Sequence, residues 1–281
     1  NQPSINMIYR KVEKRPDPVK DEKTLYQQLS KSLKSLSIRE IRIIDADFDY
    51  INGVNKRKQN AVKHLDVTIH DVLVDSLSEQ DTTRFFHTKD VSFQLVGYKS
   101  LSKDKMYTTK VDTITGSAVG KYIRIKGFQM IPMYADLAFT RKYKVQKDRY
   151  NMKFNSITLK GVDFLQLSQD ERLHAQSVSL SSAKVGIFMN REFPPPPIDK
   201  GRNYPHMVLK RLALPLHIDT LRLKNIHVAY TEYNPITRQR GTIDLERLQG
   251  TVLNVTNDSL QLKKNGHAIA NLSTRIIKAA Q

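Results

Sequence analysis

The chain has 281 residues, of which 39% are hydrophobic, and its 46 Lys and Arg against 28 Asp and Glu give a formal net charge of +18. This surplus favours polyanionic partners such as nucleic acid, anionic lipid head groups or lipopolysaccharide-like glycolipids. Cysteine is absent, which excludes disulfides, thiolate metal sites and cysteine nucleophiles. No run of about 20 apolar residues provides a membrane-spanning helix.

The N-terminal part of the sequence predicts little regular structure. Residues 1–22 are polar and contain several prolines and charges, which is typical of a tail or linker. From Leu25 to Leu36, leucine recurs at spacings of three and four residues, which predicts one short amphipathic helix over 23–36. After Ser37 the apolar period changes to two, which is typical of strands.

A segment with one apolar pattern occurs three times in the strand-rich part of the chain. Its copies are Ile38–Tyr50, Phe154–Gln166 and Ile218–Tyr230, and a second strand-like motif follows each copy. Internal similarity of this kind indicates a repeat architecture. The predicted repeat units are 37–150 with inserted hairpins, 151–216 and 217–281.

Within each copy the apolar positions change parity halfway along. A strand with a period of two can keep both sets on one face only if it accommodates an extra residue. Asp45, Gly161 and Asn225 occupy the position of the change, and these residue types tolerate a left-handed backbone. We therefore predict a β-bulge or tight bend at each of them.

These patterns predict a mostly β fold, an elongated and curved antiparallel sheet built from repeated strand units. One face of the sheet is expected to be apolar and to bind lipid or pack as a core. The residues predicted on this face are Ile41, Ile43, Phe48, Tyr50, Ile157, Leu159, Val162, Phe164, Leu221, Leu223, Ile226, Val228 and Tyr230.

The sequence contains no motif that predicts catalysis, cofactor binding or a metal site. Asp45, Asp47 and Asp49 lack the glycine and glutamate that a calcium loop needs. The stretch 116–121 departs from a phosphate-binding loop in glycine spacing and lacks its Ser or Thr, so we interpret it as a β-turn. The eight histidines are scattered singly, which favours structural or exposed roles. We therefore expect a protein that is not an enzyme.

The three repeated segments and their partner strands resemble the AsmA-like family of Gram-negative envelope proteins, which includes TamB-like members. The resemblance covers most of residues 36–275. It implies a long curved sheet with an apolar concave face, and a role in phospholipid transport or outer-membrane maintenance. It also implies a periplasmic location. We expect tethering to a membrane through a segment absent from this sequence, since the chain has no initiating methionine or anchor and looks like part of a longer protein.

Two further interpretations remain open from the residues alone. The apolar residues could pack a closed core, in which case the chain is a structural or adhesive β-repeat module without a lipid ligand. A basic nucleic-acid-binding protein is a third hypothesis, although no recognisable nucleic-acid-binding signature accompanies the charge. The expected partners are phospholipid or another anionic envelope lipid, and other segments of a longer parent chain.

Overall fold

The computed structural model describes residues 4–9, 34–52, 58–78, 88–102, 104–195, 209 and 214–280. The strands are β1 (Ser4–Tyr9), β2 (Leu36–Asn52), β3 (Lys58–Val74), β4 (Asp90–Leu101), β5 (Tyr107–Ser117), β6 (Tyr122–Pro132), β7 (Arg149–Val162), β8 (Leu173–Asn190), β9 (Leu216–Asn234), β10 (Gln239–Thr256) and β11 (Ile269–Ala280). The helices are α1 (Asp136–Arg141), α2 (Phe164–Gln169) and α3 (Ser259–Lys264). The prediction of a mostly β fold is confirmed.

The strands form mixed rather than wholly antiparallel pairings. β1 pairs with β2, and β8 with β9, in the parallel direction, whereas the other described pairs are antiparallel. Parallel neighbours need a long connection that returns the chain to the same end of the sheet. Residues 191–215 supply that connection between β8 and β9, and its described part includes the exposed prolines Pro194 and Pro195.

The predicted helix over 23–36 lies outside the described residues except at its last positions. There, Lys34 and Ser35 are not helical, and β2 already begins at Leu36. The predicted change to strand periodicity after Ser37 therefore falls just inside β2.

The chain divides into two compact units, and β4 and β5 contribute residues to both. The first unit contains residues 1–98 and 114–121. In it, β2 lies between β1 and β3, and β3 pairs on its other side with β4. Its buried apolar side chains include Ala46, Val74 and Leu95.

The second unit contains residues 99–113 and 122–281. Strands β6 to β11 lie side by side in chain order within one sheet. Strand β8 of the predicted second repeat pairs directly with β9 of the predicted third repeat.

The predicted left-handed backbone is present at all three positions. Asp45, Gly161 and Asn225 have φ angles of 53°, 64° and 54°. The register shifts next to Asp45 and Asn225, whereas Gly161 is an unpaired position without a register shift. Non-glycine residues rarely adopt this backbone region. The prediction is therefore confirmed for the left-handed backbone at all three positions, and for a register shift at Asp45 and Asn225.

In the second unit the interruptions line up across neighbouring strands. One facing pair is missing from the backbone pairing of each two neighbouring strands. The missing pairs are Gly127 with Asn155, Asn155 with Ser182, and Ser182 with Asn225. We call this row, Gly127–Asn155–Ser182–Asn225, the bulge row. A bulge bends its strand and reverses the side-chain alternation, so an aligned row lets every strand keep its apolar residues on the same face.

The exposed left-handed residue Asn225 permits a test of the bulge. We expect Asn225→Val to lower the free energy of unfolding by about 1–2 kcal/mol, because a β-branched side chain clashes with the backbone at positive φ. Asn225→Gly relieves that clash and should change stability little. Urea unfolding of both variants would show the difference, and equal stability of the two would contradict a left-handed backbone there.

A half-buried carboxylate precedes β7. Asp148 Oδ2 accepts a hydrogen bond from the Tyr150 hydroxyl at 3.3 Å, whereas its buried Oδ1 has no hydrogen-bond partner among the described residues. Burial raises the pKa of Asp148 above its usual value, because desolvation disfavours the charged form.

This raised pKa predicts a pH-dependent cost to stability. The folded state holds the Asp148 proton to a higher pH than the unfolded state, so stability is lost as the pH rises from the usual aspartate pKa through the folded one. We expect Asp148→Asn to be more stable than wild type at neutral pH, with a smaller advantage in acid. Urea unfolding of both proteins over this pH range would check it, and a pH-independent difference would contradict it.

Candidate functional site

One face of β6–β10 in the second unit is apolar across its width. On either side of the bulge row, side chains that are neighbours in the register form continuous rows. The first row contains Ile125, Ile157, Leu180 and Leu223. The second row contains Met130, Met152, Val185, Val228 and Leu245. We call the surface built by these two rows, and by Phe128, Phe154, Ala183 and Ile226 between them, the apolar face.

Coverage of the apolar face differs from one end to the other. At the end where β7 meets α2, Val162 is 1% exposed in a buried core cluster, against which Phe164 and Leu209 pack. In the two rows every residue is only half-buried. On β11 the apolar side chains next in register are more open, with Leu272 44% and Ile276 59% exposed.

No second sheet lies over the apolar face within the described part of the chain. All described strands of the second unit belong to one sheet, and the short helices α1 and α2 lie mainly against β7 and β8. A sheet with one apolar face needs another layer or a ligand to keep that face from water. The half-buried rows therefore provide a surface that can accept apolar ligand groups.

The opposite face of the same strands is polar and basic. Its exposed cationic residues are Arg124, Lys126, Lys153, Lys160, Lys184, Arg222 and Lys224. Where the bulge row crosses this face there is a concavity of about 460 Å³, lined by Lys153, Lys184 and His227 together with polar side chains of the bulge row. We call this surface the basic face, and it is suited to attract anionic groups.

The predicted apolar residues whose side chains are described lie in both units. In the second unit these are Ile157, Leu159, Val162, Leu221, Leu223, Ile226, Val228 and Tyr230, all buried or half-buried in the apolar alternation of their strands. In the first unit, Ile41 and Ile43 are half-buried and Ala46 is fully buried. The side chains of Phe48 and Tyr50 lie outside the described residues.

Phe164 is the exception among the predicted strand residues. β7 ends at Val162, and Phe164 is the first residue of α2, from which it packs against the core cluster. The helix begins there because the Asp163 side chain accepts a hydrogen bond from the Gln166 amide at 2.9 Å, as an N-cap does. The predicted strand pattern over Phe154–Gln166 is therefore correct only as far as Val162.

The motifs that faintly suggested ion binding have local structural roles. The carboxylate of Asp45 lies 2.5 Å from Nδ1 of His64 on the neighbouring strand. Residues Ala118–Lys121 form a turn after β5, in which the Lys121 amide donates to the Ala118 carbonyl at 3.2 Å. The interpretation of stretch 116–121 as a β-turn is confirmed.

The fold also brings together polar residues that the sequence did not associate. His174 on β8 and His217 on β9 are neighbours in the parallel register, and both contact Asp219. The signal that could have found them is the pair Leu173-His174 matching Leu216-His217. Recognising it required knowing that β8 and β9 pair in parallel.

Among the described residues, no helix is both long and apolar enough to cross a lipid bilayer. Comparison of the chain with protein-family models, with curated proteins and with solved structures finds no match.

Proposed function

We propose that this chain is a non-enzymatic segment of a cell-envelope protein that holds phospholipid acyl chains on its apolar face. The observation that supports this most directly is the pair of half-buried rows across β6–β10, over which no described strand packs. Burial of a methylene group from water is worth about 0.8 kcal/mol, so an acyl chain lying along such rows would be held without any specific contact.

The charge distribution supports the same proposal. The basic face lies on the other side of the strands that carry the apolar face. Each Lys or Arg near an anionic membrane contributes about 1 kcal/mol of attraction. A sheet with this arrangement can approach an anionic lipid surface through one face while the other holds acyl chains.

The resemblance to AsmA-like proteins leads to the same function. Under this proposal the chain works in the bacterial periplasm, is associated with a membrane through other parts of a longer protein, and takes part in lipid transport or outer-membrane maintenance.

Lipid occupancy of the purified chain tests the proposal. The full chain would be expressed in a bacterial periplasm, measured by native mass spectrometry, and extracted for lipid analysis. We expect stoichiometric phospholipid and uptake of a fluorescent phospholipid added afterwards. A folded chain that carries no lipid and takes up none would overturn the proposal and favour a structural or adhesive β-repeat module.

A further inference from the structure

The two strands of the parallel pair β8–β9 bring two imidazole rings side by side near the start of each strand. The rings of His174 and His217 are 5.4 Å apart between centroids and nearly parallel, with an interplanar angle of 29°. Asp219, two residues after His217, lies next to both. Nε2 of each histidine is 3.1 Å from Asp219 Oδ1.

These distances match those between the ligands of a tetrahedral metal ion. Zinc binds imidazole nitrogen at about 2.0–2.1 Å and carboxylate oxygen at about 2.0–2.2 Å, so two such ligands in a tetrahedral site are about 3.3 Å apart. The two Nε2–Oδ1 distances are close to this value, and one ligand atom from each of the three residues lies within 4.8 Å of the others. Binding therefore needs only small side-chain movements.

The chemistry of the donor set points to the same class of ion. Two neutral imidazoles and one carboxylate suit zinc and neighbouring divalent transition metals, whereas magnesium and calcium prefer oxygen ligands alone. Nδ1 of His217 is buried and has no hydrogen-bond partner in the described part of the chain. Nε2 is therefore the His217 nitrogen that faces Asp219 and is placed to bind a metal.

Two other histidines on the described strands each pair with a carboxylate that contacts one imidazole, which distinguishes this cluster. His227, on the same strand as His217, pairs with the single carboxylate of Asp244 at 2.9 Å. His64 pairs in the same way with Asp45. At the start of β8 and β9, one carboxylate oxygen instead serves two imidazoles, and His174 and Asp219 are partly exposed, so that an ion can reach them.

We infer that His174, His217 and Asp219 form a binding site for a zinc-type divalent transition metal, with the remaining coordination position open to solvent. The ion joins β8 to β9 at the end where both strands begin. Residues 191–215 connect the two strands, and so long a connection does not fix their register as a short turn would. A metal bridge between β8 and β9 would hold the parallel register at this end.

Zinc titration of the full chain, stripped of metal with a chelator, tests the site. Affinity would be measured by competition with a chromophoric chelator in wild type and in His174→Ala, His217→Ala and Asp219→Asn. Loss of one of three protein ligands should weaken zinc binding by tenfold or more. His227→Ala is the matched control, since it removes a carboxylate-paired histidine from the same strand, and it should leave the affinity unchanged.

A second measurement on the wild-type chain does not depend on how the variants fold. Zinc should slow amide hydrogen exchange at residues 173–175 and 216–219 more than elsewhere, because a ligand of the folded state suppresses local opening around its site. The inference is overturned if wild type binds no zinc at micromolar concentration. It is also overturned if the three site variants bind like wild type, or if zinc protects other segments instead.

Discussion

Val228→Asp is expected to lower the phospholipid bound to the purified chain by tenfold or more. Val228 is half-buried in the second row of the apolar face, between Val185 on β8 and Leu245 on β10. A carboxylate there would have to lose its hydration against an acyl chain, at a cost of several kcal/mol. A loss of 1.4 kcal/mol in binding already corresponds to a tenfold change.

The neighbouring residue offers a matched control for this experiment. Ala229 follows Val228 on β9 but points to the basic face, where it lines a shallow concavity with Lys153 and Lys184. Ala229→Asp introduces the same charge one position away and should leave lipid binding close to wild type. Native mass spectrometry with lipid extraction would measure both variants, with circular dichroism to confirm folding. Equal lipid loss in the two variants would argue against the apolar face as the binding surface.

Phe139→Ala is expected to cause the largest loss of stability of any single substitution considered. Phe139 on α1 is 0% exposed and packs against the rings of Tyr107 and Tyr143, at centroid distances of 5.2 Å and 5.5 Å. Truncation of a buried phenylalanine lowers the free energy of unfolding by about 3–5 kcal/mol, because the burial of the ring is lost and a cavity remains. The next residue, Thr140, accepts a hydrogen bond from Asn190 at 3.0 Å and depends on the same packing.

Leu137→Ala is the control for Phe139→Ala, because Leu137 belongs to the same helix but is only half-buried. It should cost clearly less. Urea unfolding would measure both, and hydrogen exchange over β7 and β8, which α1 contacts, would show where stability is lost. If the two variants lost the same stability, the helix would not be anchored by Phe139.

Much of the local structure follows from the sequence alone. The parity change within each repeated segment requires an extra residue, and only certain residue types tolerate the backbone that this residue adopts. Asp45, Gly161 and Asn225 could therefore be identified as positions of a bulge or bend, and the apolar residues on either side of them as one face. Both depend on spacing over a few residues, which the sequence shows directly.

The strand-to-helix change after Val162 was harder to predict, because two local signals compete there. The apolar pattern continues through Phe164, whereas Asp163 is also a good N-cap. Packing of Phe164 against the core cluster is compatible with a helix as well as with a strand. The cap decided the outcome, and periodicity alone could not have shown it.

The pairing of distant strands was decided only by the tertiary structure. Nothing near His174 indicates that His217 lies beside it, since residues 191–215 separate the two strands and a connection of that length permits either direction of pairing. The parallel register of β8 and β9 brings the two histidines and Asp219 together. The apolar period of a strand determines which face of the sheet each residue occupies. Which residues of two distant strands become neighbours depends on strand pairing, and only the folded chain establishes that pairing.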